Sequence, residues 1–251
     1  MPVAALYDIH ANLPALEAVL QDLRRAGVDQ AVIGGDVLPG PMPRETIQCL
    51  LDLDMPLRFI RGNGDREVLA LVQGGETGGV PERFRESMMW VARQLNGDDE
   101  QLLVSLPETL RLRIGGLGEV LFCHATPRND TEVFTRLTPE DRLLPIFEGL
   151  DLPLVVCGHT HMQFDRMIGG TRVVNAGSVG MPFQEPGAYW LLLGAEVELR
   201  RTPYDLAGAA ARIRKTAYPQ AREFAARNVL QPPSEEDMLR AFSRVELRCV
   251  S

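Results

Sequence analysis

Lysine is almost missing from this chain: Lys215 is the only one among 26 basic residues. That scarcity reads first as genome composition and carries no functional weight. The shortage of positive charge does. Net charge is −8, which argues against affinity resting on a broad positive field for nucleic acid but leaves small phosphorylated ligands held through metal. Long apolar runs are absent, so no segment can cross a bilayer, and no basic stretch precedes a greasy core near the first residues. A cytoplasmic protein is the expectation. The cysteines are few and dispersed (Cys49, Cys123, Cys157, Cys249), without the paired spacing of zinc sites or disulfide scaffolds. They are expected to be reduced, mostly buried thiols. Internal repeats and low-complexity linkers are also lacking. With 251 residues, 45% hydrophobic and 24% charged, the chain fits one large α/β domain (residues 1–204) with a helical C-terminal extension (205–251) packed on it.

Histidine is equally scarce, yet its four copies all sit in short polar motifs: Asp8-Ile9-His10, Cys123-His124-Ala125 and Gly158-His159-Thr160-His161. Gly34-Gly35-Asp36 and Gly62-Asn63-Gly64-Asp65 resemble them in position. Each follows an apolar run, so a strand stops and then delivers one or two N/O donors. Val3–Asp8, Ala31–Gly34 and Leu57–Arg61 read as parallel strands of a βαβαβ opening. The helices between them are one capped by Asn12 with Gly27 beyond its end, and Arg44–Leu53. Ligands of such sheets gather at the carboxyl ends of the strands, where Asp8, His10, Asp36 and Asn63 stand. Residues 65–105 read as helical around the Gly74–Gly79 stretch, a mobile loop or, on a sharper reading, a substrate lid. Strand pairs follow: Thr109–Ile114 with Glu119–Cys123, then Leu154–Cys157 with Phe164–Ile168 and Thr171–Val174, separated by helical Thr138–Leu150. Tyr189–Leu193 and Val197–Arg201 form a last meander.

Three imidazoles and a carboxylate would hold one ion; seven mixed donors would hold two. No thiolate is needed, which suits manganese first, with iron, zinc, cobalt or nickel as alternatives. Asp36 at a tight Gly-Gly-Asp turn is a natural bridging ligand. Two ions about 3.5–4 Å apart would clamp an in-line displacement at phosphorus. In Gly158-His159-Thr160-His161, alternate positions of an extended segment would put both rings on one side. Taken singly the pieces have plainer readings, Asp65 as a helix cap among them.

As an ordered set, Asp8-Ile9-His10, Gly35-Asp36, Gly62-Asn63, His124 and Gly158-His159-Thr160-His161 resemble the motif series of the calcineurin-like metallophosphoesterases. The match runs from residue 3 to about residue 193. Local similarity at residues 12–20, 124–128 and 173–180 places it near the small bacterial and archaeal branch with phosphodiesterases and diadenosine-tetraphosphatase and protein-phosphatase relatives. The C-terminal 50 residues carry no such motif. The resemblance implies a four-layer α/β/β/α sandwich with two mixed sheets. It implies one divalent ion on Asp8, His10, Asp36 and His161, and a second on Asp36, Asn63, His124 and His159. A hydroxide bridging the ions would attack phosphorus, with Asn63 and His159 in catalytic positions. Arg66 and Arg128 become candidate phosphate partners, and Asn175 and Ser178 would order the loop behind the ions.

The pattern departs in one chemically important place. Many relatives carry a histidine directly after the Gly-Asn pair, thought to assist the leaving group; this chain has Gly64. All four histidines are already allotted, so an alkoxide would need its proton from elsewhere. Phosphodiester or phosphoanhydride cleavage is therefore expected over alkyl monoester hydrolysis. A phosphomonoesterase or protein serine/threonine phosphatase, a catalytically silent scaffold of the same fold, and a nuclease are the other readings. The missing basic stripe weighs against the last. Tyr7 stands where relatives have a small residue and is expected in the core. The C-terminal helices could pack on the sandwich, cover the site or form a homodimer contact.

Overall fold

The computed structural model describes residues 2–76 and 80–247. Among these described residues, ten strands form two five-stranded sheets. In the first, β1 (Val3–Leu6), β2 (Gln30–Ile33) and β3 (Leu57–Phe59) run parallel; β9 (Ala188–Leu193) is antiparallel to β1, and β10 (Val197–Thr202) antiparallel to β9. In the second, β5 (Gly118–Cys123), β6 (Leu154–Cys157) and β8 (Thr171–Asn175) are parallel, with β4 (Thr109–Ile114) and β7 (Phe164–Ile168) antiparallel at the edges.

Side-chain alternation makes the layers. Val3, Ala5 and Tyr7 point inward from β1 and its end to meet Phe122 of β5 and Val156 of β6. Ala4 and Leu6 point the other way, into a core shared with α1 (Leu13–Arg25), α2 (Pro43–Leu51), α3 (Asn63–Val72), α4 (Glu82–Gln94) and α5 (Gly97–Ser105). On the second sheet Leu121, Cys123, Val155 and Cys157 face outward onto α6 (Glu140–Phe147). A strand with both faces covered must be apolar throughout, which is why β1, β6 and β9 are buried at every position. The result is the expected α/β/β/α sandwich with two mixed sheets.

Two strands, β1 and β3, are shorter than the apolar runs suggested. β1 ends at Leu6 rather than Asp8 because Asp8 has φ +53° and leaves the pleat. β3 ends at Phe59, and the helix expected over Thr138–Leu150 is confined to Glu140–Phe147. The Leu154–Cys157 strand does not pair with Phe164–Ile168: β8 lies between them, because Gly169 at φ +55° folds β7 and β8 into a hairpin that docks through its second strand. Beyond β10 come α7 (Leu206–Ile213), α8 (Ala221–Phe224), a π-helical turn (Ala225–Leu230) and α9 (Glu235–Phe242). Ala209, Ala210, Ile213, Phe224 and Val229 form their own small core, which includes Met181 and Tyr204 of the sandwich at its border. Of the Gly74–Gly79 loop, Thr77–Gly79 lie outside the described residues, and the lid reading with them, as does Cys249. Cys49, Cys123 and Cys157 are free thiols.

Candidate metal centre

The site is built where two connections run side by side. The β1–α1 turn pairs with the β2–α2 loop through His10 N donating to Asp36 O (2.9 Å) and Ala11 N to Val37 O (2.8 Å). Asn12 fastens the turn twice: its Oδ1 caps α1 by accepting from Ala15 N, and its Nδ2 donates to Gly180 O. Asp65, expected as a helix cap, does cap α3 by accepting from Gly62 N (3.2 Å). It also clamps the β2–α2 loop, accepting from Val37 N (2.9 Å) and Leu38 N (3.1 Å). Burial and the nearby Asp36 carboxylate push the Asp65 pKa up to about 7.

Six residues here have left-handed backbone: Asp8, His10, Ala11, Asp36, His159 and His161, with φ between +47° and +65°. Such conformations are costly for side-chain-bearing residues and concentrate at functional sites. They also correct the expected geometry of the Gly-His-Thr-His motif. The segment is not extended, and its two rings do not share a side by strand alternation. His161 goes to Asp8 and His10, with Nε2 3.3 Å from Asp8 Oδ1 and 3.2 Å from His10 Nε2. His159 goes to His124 and Asn63, its ring 5.3 Å from that of His124 and its Nδ1 3.0 Å from the Asn63 amide.

All seven expected donors are thus brought together. Asp8, His10 and His161 form one compact group and Asp8, Asp36 and His124 another. Asp36 turns a different oxygen to each side: Oδ2 lies 3.8 Å from His10 Nε2, and Oδ1 lies 3.6 Å from His124 Nε2. Asp8 Oδ1 is also shared, at 3.9 Å from both His10 and His124.

The chemistry of these donors fits cations between them. His10 Nδ1 meets Pro39 O at 3.1 Å, His124 Nδ1 meets Gly34 O at 2.9 Å, and His161 Nδ1 meets Met181 O at 2.7 Å. A carbonyl can only accept, so each Nδ1 carries a proton, and in the neutral ring each Nε2 keeps its lone pair. The lone pairs of His10 and His161 then face each other across 3.2 Å, which is repulsive without positive charge between. Asp8 Oδ1 is fully buried and accepts no hydrogen bond, although buried carboxylate oxygens normally do. Its partner oxygen accepts from His159 N (2.9 Å). Asn63 shows the same tension: its Oδ1 lies 3.0 Å from His124 Nε2, two acceptors that need a cation between them or a reversed amide.

Ionisation follows the same logic. Burial alone would keep Asp8 neutral; positive charge at His161, His124 and His10 holds its carboxyl well below the usual carboxylate range. Burial, then the charge of His161, lowers the His10 pKa. Burial and His124 lower that of His159 to about 4. His124 is drawn upward by Asp36 and Asp8 against the cost of burial. Asp8 is thus held ionised by positive charge close by, while His10 and His159 resist supplying it as protons, which suits the site to metal ions.

Small residues let these groups approach. A Cβ at Gly62 would lie 2.2 Å from Asp36 Oδ1, and one at Gly158 would lie 2.5 Å from Asp8 Oδ2. Gly64 donates to Asp36 Oδ1 (2.7 Å), and a Cβ there would lie 2.5 Å from the Pro39 ring. Position 64, directly after the Gly-Asn pair, is here packed against proline. Gly64→His is therefore expected to displace the Asp36 turn, lower metal affinity at least about tenfold, as loss of an outer-shell partner does, and leave alkyl phosphate hydrolysis unimproved. A gain in monoester turnover by Gly64→His would refute that account.

Asn175 and Ser178 lie behind the cluster. Asn175 Nδ2 donates to Gly158 O (2.6 Å) and Ser178 Oγ to Asp8 O (2.7 Å). The two candidate phosphate arginines are engaged elsewhere: Arg66 with Asp130 (2.7 Å) and Glu67 (3.0 Å), Arg128 with Glu132 (2.6 Å). Sequence reasoning passed over Pro39, Gly34 and Met181 as ring anchors, since every residue offers a carbonyl and nothing in a side chain marks the one used. It also passed over Phe183, whose ring stacks on His161 at 4.6 Å and 25°. Met162-Gln163 and Pro182-Phe183 gave no periodic or motif signal.

Among the described residues no helix is long and apolar enough to cross a membrane. A protein of Methanocaldococcus jannaschii that is itself uncharacterized is 28% identical over 239 residues, spanning 87% of this chain and 94% of the relative. A metallophosphoesterase from Sphaerobacter thermophilus has a crystal structure that superposes with TM-score 0.69 at 28% identity, over 90% of this chain and 99% of that one. The hypothetical protein PH1004 of Pyrococcus horikoshii shares the fold, with TM-score 0.75 at 23% identity over 89% and 97% of the two chains. Residues 1–196, which contain every donor of the cluster, match the calcineurin-like phosphoesterase superfamily domain, and to that metal-dependent superfamily this chain belongs.

Proposed function

We propose that this chain is a two-ion phosphoesterase that cleaves phosphodiester or phosphoanhydride bonds in small phosphorylated compounds, with manganese the first metal to test. The observation that carries the reading is the convergence of Asp8, His10, Asp36, Asn63, His124, His159 and His161. Three of the rings are already locked by backbone carbonyls with Nε2 turned inward. A bound pair of divalent cations would supply Lewis acidity and a nucleophilic water at neutral pH. The chain's own contribution is position. Asp36 addresses both groups of donors, Asp8 and Asn63 complete them, and the Asn63 amide faces the same space as His124 and His159. Arg66 and Arg128 remain candidates for the substrate phosphate; each would exchange a carboxylate for it. No histidine is free to protonate a departing alkoxide, and that favours leaving groups stable without a proton. The cytoplasmic setting belongs to the same reading.

The test is a panel on manganese-loaded protein: aryl mono- and diesters, diadenosine polyphosphates, 2′,3′-cyclic nucleotides and a phosphopeptide. Diester or anhydride turnover should exceed alkyl or peptidyl monoester turnover. A phosphopeptide as the best substrate would move the assignment to a protein phosphatase, and fewer than one transition ion per chain would move it to a scaffold. Chelation gives a second expected outcome. Restoring manganese at a hundredfold excess over its Kd should stabilise the chain by about 2.7 kcal/mol per bound ion relative to the chelated protein, read as a rise in melting temperature. An unchanged melting curve would mean that these donors do not hold ions in the folded state.

A further inference from the structure

We infer that the C-terminal helices position the ion site, acting through residues 181–184 on His161; the inference rests on the two-ion reading above. His161 is restrained by one short loop at three points. Met181 O accepts from its Nδ1 (2.7 Å), Phe183 N donates to its carbonyl (3.3 Å), and the Phe183 ring stacks on the imidazole. The backbone of His161 sits at φ +58°, a conformation that persists only when its surroundings hold it there. His10 and His124 differ: their carbonyl partners, Pro39 and Gly34, belong to the β2 end and its loop, which Asp65 clamps.

The loop that holds His161 is itself gripped from the C-terminal side at two places. The Met181 side chain packs on the cluster of α7, α8 and the π-helical turn. Phe183 meets Phe242, the last residue of α9, at 6.1 Å between ring centroids. Helix α9 and its tail are tied in turn to the segment that follows His124. Arg136 pairs with Glu235 (2.8 Å), Arg142 with Glu246 (2.9 Å), Thr138 Oγ1 donates to Glu246 (2.7 Å), and Leu247 N donates to Val133 O (2.8 Å). The tail thus links the segment around Val133–Arg142 to the loop that holds His161. Of these pairs Arg136–Glu235 is part-exposed and weak, while the Glu246 carboxylate is nearly buried; the part of α9 that bears on the site is Phe242. Its effect is local: it keeps Phe183 flat against His161, and a ring held in its ligating orientation binds metal more tightly than one free to turn. Phe242 is therefore a positioning residue for the ion shared by Asp8, His10 and His161.

The test uses the full chain, stripped of metal and titrated with manganese by calorimetry and electron paramagnetic resonance. In the parent, two ions should bind. In Phe242→Ala one of the two affinities should fall about tenfold, the low end of what outer-shell partners contribute. The other should stay within about twofold, so that the spin-coupled pair signal appears only at higher manganese. Phe242→Tyr, which keeps the ring, should restore the parent isotherm. Two unchanged affinities in Phe242→Ala, or an equal weakening of both with a lowered melting temperature, would overturn the inference and leave α9 as ordinary packing. A parent chain that takes up fewer than two ions would instead sink the two-ion reading, and this inference with it.

Discussion

Asp36→Asn is expected to lower hydrolysis of bis-p-nitrophenyl phosphate by manganese-loaded protein about a thousandfold, with loss of the paired-ion signal. The size follows from position. Asp36 Oδ2 faces His10 and Oδ1 faces His124, so a single neutral amide would weaken both groups of donors. Removing an outer-shell partner alone changes metal affinity about 10–100-fold; removing a charge that faces both groups of donors should exceed that. The amide is nearly isosteric, and Gly64 N could still meet an oxygen at this position, so the fold should persist. The control is a melting curve of the chelated variant, which should match or exceed that of the chelated parent because a crowded negative charge is gone. Activity within a few-fold of the parent would remove Asp36 from its bridging role and shift attention to Asp8, whose Oδ1 also lies close to both groups.

Tyr7→Ala is expected to be the most damaging substitution outside the donor set. Tyr7 is fully buried, packs between the sheets, and donates from its hydroxyl to Val156 O (3.1 Å). Its ring fills the space against Gly34 and Gly158, where an added Cβ would lie 2.1 Å and 2.5 Å from it. Truncating a buried aromatic costs about 3–5 kcal/mol. In a chain of this size that is on the order of 10 °C or more in melting temperature. Because Tyr7 immediately precedes Asp8 and Gly158 precedes His159, metal affinity should fall with stability. Tyr7→Phe separates the two contributions: it keeps the packing and loses one buried hydrogen bond, about 1 kcal/mol. If Tyr7→Ala melts within a few degrees of the parent, the ring is not the wedge between the sheets that its burial indicates.

The donor list was legible in the sequence because metal chemistry restricts which side chains can serve and because histidine is so rare here. Asp8, His10, Asp36, Asn63, His124, His159 and His161 needed no structure to be singled out; each ends an apolar run, and only polar residues at strand ends can reach a common edge. The two-sheet α/β architecture was legible for a related reason, since a strand buried on both faces must be apolar at every position. Less legible were the element ends. Tyr7 and Asp8 continue the apolar and polar pattern of β1, but the left-handed turn at Asp8 is set by contacts with Gly35 and Gly180 from elsewhere in the chain.

Other features depended wholly on distant segments meeting. That His159 and His161 serve different groups follows from two left-handed residues, and no pattern in Gly-His-Thr-His announces them. The second duty of Asp65 as a clamp on Val37 and Leu38 arises only when α3 lies beside the β2–α2 loop. Pro39 closes the space next to Gly64, so packing itself disfavours a larger side chain at this position. Arg66 and Arg128 looked available as anion partners until Asp130 and Glu132 were found beside them. By itself the sequence singled out which side chains can offer donor atoms to a metal and that they stand at strand ends, because side-chain chemistry and hydrophobic period are local properties; that the strand ends come from two facing sheets rather than one edge is a finding of the structure. Only the tertiary structure decided how those atoms are divided, which carbonyls orient the rings, and that the C-terminal helices reach His161. Orientation is set by contacts between residues far apart in the chain, and single-sequence patterns carry no record of them.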